Sequence, residues 1–250
     1  MRIVDFLDKG ASLGADAPCL TTDGKTLTYA DVRKLSFEVA AALVTSGVEP
    51  GDKIAILSAN DPVAFSCIFG ISRAGAVWCP INPRNEASEN RELLDLFDCS
   101  VVVFQASFAA LVERIRPDLA MIHTWVCLDG SVEGALTWEE FLARGDVPGR
   151  PDSAPVSPVG SAPVLPVGSG TAGTARETAG VDRAPVDDLA LIVGTGGTTG
   201  RPKGVMLTGT NLETMTALTL MGYPFDGRPV YLALAPLTHA AGVLCFPILC

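Results

Sequence analysis

Between Lys53 and Leu128 the chain alternates short apolar runs with helix-patterned segments, and this alternation restricts the fold more than any other feature. Strands are expected over 53–58, 76–80, 100–104 and 122–128, separated by helices over 62–74, 87–97 and 107–115. Val101-Val-Val-Phe104 is apolar at every position, so it needs cover on both faces of its sheet. Parallel strands joined by helices that pack on each side meet that need, which predicts an α/β fold with mostly parallel sheets built from βαβ units.

The flanking segments read as follows. Ile3 to Leu13 carries apolar residues at the spacing of a short amphipathic helix. Pro18 to Thr28 reads as a hairpin turning at Asp23-Gly24, and Thr28 with Asp31 forms an imperfect capping box for a helix that runs through Val44 until Gly47 stops it. Asn60-Asp-Pro62 opens the next helix with a cap and a first-turn proline. From Pro148 to Pro185 Pro, Gly, Ser, Ala, Thr and Val dominate, and Ser153-Ala-Pro-Val-Ser-Pro-Val-Gly160 recurs as Ser161-Ala-Pro-Val-Leu-Pro-Val-Gly168 with one change. Such a repeat nucleates neither helix nor sheet. It predicts an extended or mobile surface excursion, or a segment read by a proline-binding partner. The expected organisation is an α/β subdomain over 1–147, an insertion over 148–186 and the start of a second α/β subdomain over 187–250, with a helix near 210–221 and a strand from Pro229 to Leu234.

The chemistry concentrates after the insertion. In Leu191-Ile-Val-Gly-Thr-Gly-Gly-Thr-Thr-Gly-Arg-Pro-Lys-Gly204 an apolar strand empties into a Gly/Thr loop that ends on a lysine. Gly196, Gly197 and Gly200 let backbone N–H groups converge on an anion, Thr195, Thr198 and Thr199 add hydroxyl donors, and Lys203 supplies a point charge. The loop departs from the common G-x-x-x-x-G-K-[ST] nucleotide pattern, because Pro202 stands where that pattern needs glycine and Gly204 follows the lysine.

Thr195 to Gly204 resembles the phosphate loop of the adenylate-forming, AMP-binding superfamily, roughly Thr-Ser-Gly-Thr-Thr-Gly-x-Pro-Lys-Gly, with Gly196 in place of the serine. That superfamily includes acyl- and aryl-CoA synthetases and peptide-synthetase adenylation domains. Leu27-Thr-Tyr-Ala-Asp-Val32, Arg73-Ala-Gly-Ala-Val-Trp-Cys-Pro-Ile-Asn-Pro83 and Ala235-Pro-Leu-Thr-His-Ala-Ala-Gly242 are similar to its other segments, in order. The resemblance implies part of the large N-terminal domain of an acyl-adenylate-forming enzyme. ATP, magnesium, CoA and a carboxylic acid, with a fatty acid the first expectation, would then be its small molecules. It implies that Thr195 to Lys203 grip the β- and γ-phosphates, with Thr195 helping to hold magnesium. His239 would position the acyl group and the adenylate; the alternative for it is a satisfied core histidine in an apolar turn. His123 matches no segment and reads as structural.

Other classes are excluded. A net charge of −10 disfavours nucleic acid and anionic membrane surfaces as main partners. Seven cysteines without a C-x-x-C pair point to a reducing compartment, and with no charged, apolar leader the expected location is cytoplasmic. The apolar stretch from Leu232 to Cys250 is interrupted by Pro236, His239 and Pro247 and suits a buried strand and turn better than a membrane span. There is no Ser/His/Asp set with a G-x-S-x-G elbow, no metal-spaced His/Cys cluster and no G-x-G-x-x-G after the first strand. The superfamily's adenine, ribose and C-terminal lysine segments have no counterpart here. Three readings follow: the N-terminal part of an acid–CoA ligase that needs a downstream C-terminal portion, the adenylation domain of another carboxylate-activating enzyme, or an inactive remnant that binds phosphate or a partner.

Overall fold

The computed structural model describes residues 1–146, 180–195, 202–223, 225–237 and 240–250, without the side chains of 240 and 241. The helices are α1 (Ile3–Leu13), α2 (Tyr29–Thr45), α3 (Pro62–Arg73), α4 (Ala87–Leu96), α5 (Ala109–Ile115), α6 (Trp138–Ala143), α7 (Gly209–Gly222) and α8 (Phe246–Leu249). The strands are β1 (Pro18–Thr22), β2 (Lys25–Thr28), β3 (Lys53–Leu57), β4 (Val77–Ile81), β5 (Cys99–Phe104), β6 (Thr124–Cys127), β7 (Leu136–Thr137), β8 (Leu189–Thr195) and β9 (Lys203–Thr208). β1 and β2 form a separate hairpin, whose turn residues Asp23 and Gly24 both have positive φ, as a tight hairpin turn requires. The rest build one seven-stranded sheet in the order β7-β6-β5-β3-β4-β8-β9, parallel throughout except that β9 runs antiparallel to β8. The fold is therefore the expected α/β class, and β8 and β9 continue the sheet begun before the insertion.

Alternation along each strand divides the interior in two. Ile54 and Ile56 of β3, Trp78 of β4, Val101 and Val103 of β5 and Leu191 and Val193 of β8 face α1, α2 and α3. Ala55 and Leu57, Val77 and Cys79, Val102 and Phe104, and Ile192 face α4 and α5. Because the side-chain period is two, a continuous apolar run supplies both cores at once. α3 is the inner helix of the first face, buried at every position from Ala64 to Arg73, as suits a helix that is apolar all round. A Cβ at Gly70 would overlap Val39 of α2, so glycine permits the close α2–α3 approach.

The helix ends follow their caps. Thr28 accepts from Asp31 N–H while the Asp31 carboxylate accepts from Thr28 N–H, completing the box that starts α2. The Thr28 hydroxyl, donating to Asp31 Oδ2 at 2.6 Å, and then the Thr28 N–H hold the Asp31 carboxyl below the usual carboxylate range. At α3 the cap is Asp61, which accepts from Ala64 N–H at 2.8 Å, and Pro62 opens the helix.

Arg73 ends α3 with its side chain 1% exposed. Its guanidinium donates to Ser36 Oγ at 2.7 Å, pairs with Asp8 and with Asp182 (3.3 Å), and lies 3.8 Å over the Phe37 ring. It thus joins α1, α2, α3 and the chain returning from the insertion. Arg183 N–H also donates to the Arg73 carbonyl at 2.7 Å.

Several expectations need correction. Residues 180–186, assigned to a mobile insertion, include Asp182 and Arg183, which are tied to the core; the tandem repeat lies outside the described residues. Pro229 to Leu234 joins no strand among the described residues. β9 was not anticipated, nor were β7 and α6, where Thr137 and Glu140 form a further capping box. Arg73→Met is expected to lower stability by about 2 kcal/mol in urea titration, because Asp8, Asp182 and Ser36 each lose one of two partners, keeping Arg33, Arg2 and the Arg33 carbonyl respectively, while the methionine keeps most of the volume. Ser36→Ala should cost about 1 kcal/mol in the same measurement.

Candidate active site

The parallel strands β3, β4, β5, β6 and β8 all end at one edge of the sheet, and the phosphate-loop residues begin there. In open α/β sheets ligands bind beyond the carboxyl ends of the strands, where connections diverge. Here the chain leaves β3 to β4 on one side and returns to β5 on the other. Polar groups line this edge: Ala59 N–H and Ser58 Oγ both donate to Gln105 Oε1 at 2.8 Å, joining the ends of β3 and β5. Asn82 Oδ1 accepts from Arg84 N–H, and the Asn82 carbonyl accepts from the buried Asn90, which fixes the turn after β4.

Thr195 ends β8 and Lys203 begins β9, and the two are cross-strand partners. Thr195 Oγ1 donates to the Lys203 carbonyl at 3.3 Å, and Lys203 is exposed. The β8–β9 pairing therefore sets side by side the two residues that stand at opposite ends of the sequence motif, with the Thr195 hydroxyl on the Lys203 backbone carbonyl. Gly196, Gly197, Thr198, Thr199 and Gly200 lie outside the described residues, as does His239. Both flanks of the bend are strands, and neither flank is helical. The flanks are closely seated: a Cβ on Gly194 would come within 2.9 Å of Leu93, and one on Gly204 within 2.8 Å of both Phe97 and Ile192. The last turn of α4 and the residue after it thus press the base of the bend against the sheet.

A second concavity of about 500 Å³ opens beside the end of β3. Its walls include Cys19 and Leu20 of the hairpin, Tyr29, Phe65 of α3, and Tyr231 and Leu237 of the extended chain. The Arg228 guanidinium sits 5.1 Å over the Tyr29 ring at this wall. Burial pushes the Cys19 thiol up to about 12, opposed weakly by Arg228, and burial does the same to Cys245. All seven cysteines are free thiols. His123 is far from this edge in sequence and chemistry: its Nδ1 meets Thr124 Oγ1 at 2.9 Å at the opposite, amino end of β6, consistent with the structural role read for it.

The AMP-binding enzyme family model matches residues 7–250. The chain belongs to the AMP-binding enzyme family. It is 28% identical over 247 residues to an indoleacetate–CoA ligase of Aromatoleum aromaticum, covering 97% of this chain and 42% of that protein. It is 31% identical over 241 residues to a feruloyl-CoA synthase of an Amycolatopsis species, covering 96% of this chain and 40% of that one. Among solved structures, the inhibitor-bound N-terminal domain of FACL13 from Mycobacterium tuberculosis superposes with a TM-score of 0.74 at 22% identity, covering 99% of this chain and 55% of that chain. The chain thus spans about two fifths of the length of these curated relatives.

The structure groups Thr195 with Lys203, but sequence reasoning had the loop leading straight to a helix and so missed the β8–β9 pairing. The apolar run Val205-Met-Leu207 is too short a signal to mark a strand. Alkylation of Cys19 in the folded chain is expected to keep rising about tenfold per pH unit beyond pH 9, because its raised thiol pKa leaves thiolate scarce until about 12. Site-resolved mass spectrometry after timed iodoacetamide treatment would measure it; a plateau near pH 9 would contradict the burial.

Proposed function

We propose that this chain is the N-terminal part of an ATP-dependent acid–CoA ligase. The acid's carboxylate oxygen bonds to the α-phosphorus of ATP while the bond to pyrophosphate breaks. The CoA sulfur then attacks the acyl carbon and AMP leaves. Both partners in the first step are anions, so the protein's contribution is positioning and charge neutralisation. The cross-strand pairing of Thr195 with Lys203 carries this reading, because it supports a common site for the two ends of the glycine-rich motif beyond the last parallel strand. In this reading Lys203 neutralises the β- and γ-phosphates. Magnesium, when bound, would screen phosphate charge, with the Thr195 hydroxyl as a protein oxygen ligand and phosphate oxygens and water as the rest. His239 serves to position the acyl group.

The acid is proposed to have an apolar body. The ligase of Aromatoleum is named for indoleacetate and the synthase of Amycolatopsis for ferulate, so aryl acids stand beside fatty acids as substrates to be tested. A reducing cytoplasmic setting agrees with the seven free thiols, and no helix among the described residues is long and apolar enough to cross a membrane.

One observation bears on what this polypeptide does unaided. Val205, Met206, Leu218, Met221, Tyr223, Val230, Leu232 and Leu234 are all exposed, whereas the first 146 residues expose few large apolar side chains. An apolar surface of this extent marks a face built to be covered. The proposal is therefore that the chain binds nucleotide but completes the reaction only with the downstream portion.

ATP binding to the 250-residue chain, followed by titration calorimetry, should weaken by about tenfold in Lys203→Ala, the loss of one charge-assisted contact. Acid-dependent ATP–pyrophosphate exchange should be sought with indoleacetate, ferulate and a medium-chain fatty acid. Exchange with any of them places the activity in this chain; nucleotide binding without exchange supports the partial-enzyme reading. Absence of nucleotide binding to soluble, folded chain would sink the proposal.

A further inference from the structure

The concavity of about 500 Å³ beside the end of β3 is separate from the phosphate bend, since β3 and β8 stand on either side of β4, two strand spacings or about 10 Å apart. Its walls are mainly apolar and include Leu20 of the hairpin, Phe65 of α3, Tyr231 and Leu249 of α8. The volume falls in the range of small-molecule pockets, which set a few placed polar groups in an apolar lining.

Two such groups stand here. Arg228 lines the wall with its guanidinium 5.1 Å over the Tyr29 ring, and it makes no hydrogen bond or ion pair with another described residue. Tyr29 is 4% exposed, and its hydroxyl likewise has no hydrogen-bond partner among the described residues. Burial pushes that hydroxyl up, the Cys19 thiol adds to the effect and Arg228 opposes it, so it stays a protonated donor at neutral pH. Asp61, a carboxylate on the same wall, accepts from Ala64 N–H at 2.8 Å and sits at the positive end of α3, which offsets part of its charge.

A cation and a hydroxyl donor against apolar walls suit a singly charged head on an apolar body. The planar fork of a guanidinium matches a carboxylate, and with the hydroxyl it serves both carboxylate oxygens, whereas the further oxygen of a phosphate would face the apolar lining without a partner. We infer that this concavity binds a carboxylic acid with an apolar body, its carboxylate on Arg228 and Tyr29 and its body against Leu20, Phe65 and Leu249. A carboxylate beside a guanidinium is less basic and so a weaker nucleophile, which makes this a holding site and not a place where an acid is activated. It stands on its own residues, apart from the ligase reading.

Calorimetric titration of the 250-residue chain at neutral pH tests it with decanoate kept below its micelle concentration. Decylamine shares the body with the opposite charge and acetate lacks the body, so both should bind about tenfold more weakly or less. Arg228→Gln should weaken decanoate about tenfold, as for one lost charge-assisted contact, and Tyr29→Phe about threefold. Arg228 is exposed, so its replacement leaves the core intact, which circular dichroism would verify. Bound decanoate should also slow alkylation of Cys19, which lines the same wall. Equal affinity for decylamine would reveal an adhesive apolar surface and overturn the inference. So would unchanged decanoate affinity in Arg228→Gln, or undiminished Cys19 alkylation at saturating decanoate. ATP affinity should be the same with and without Arg228→Gln; a parallel loss would assign the arginine to the nucleotide and also overturn it. If ATP binds neither protein, the ligase reading fails and the decanoate result stands.

Discussion

The two-sided burial of β3 is the constraint on which the rest of the structure depends. Lys53 to Leu57 sits between β4 and β5, and its alternate side chains enter opposite cores: Ile54 and Ile56 beneath α3, Ala55 and Leu57 beneath α4 and α5. A strand with no wet face forces helices onto both sides, and parallel neighbours force those helices to be the connections. Every parallel strand then ends at the same edge. The bend after β8, the polar bridge from Ser58 and Ala59 to Gln105, and Asn60 all gather there for that reason.

The Arg73 cluster performs a complementary task. The chain leaves the described structure after residue 146 and re-enters at 180, and on return it must be set in register to lay β8 beside β4. Asp182 meets the buried guanidinium and Arg183 meets the Arg73 backbone, seven residues before β8 begins at Leu189 when counted from Asp182. A buried charge is weak evidence of added stability, since desolvation offsets much of the attraction, but its directional demands suit it to specifying register. That agrees with its position at the junction of four chain segments.

Exposure differs sharply along the chain. Up to residue 146 the apolar faces are paired, helix on sheet; beyond residue 205 β9, α7 and the stretch from Val230 to Leu234 present apolar side chains to solvent. The superposition on the FACL13 N-terminal domain takes in 99% of this chain and 55% of that chain, so a comparable fold elsewhere carries further polypeptide. The unpaired stretch at 229–237 is where the expectation of a strand met no partner. Val230, Leu232 and Leu234 are exposed there, and Asn60 donates to the carbonyls of Ala233 and Ala235.

Much was legible from the residues alone. The run Val101 to Phe104, the Asp23-Gly24 turn and the Thr28–Asp31 box each act through local physics of period, φ and nearby hydrogen bonds, and each appears where it was expected. The family, too, was legible from motif order, because the loop's chemistry is written in consecutive residues. Strand order, the pairing of Thr195 with Lys203, the burial of Arg73 and the reach of Asn60 across 173 residues to Ala233 were not. These contacts join groups whose separation along the chain carries no signal. Local pattern determined most of the elements and the family; only the folded sheet, by closing distant segments against one another, decided which side chains meet.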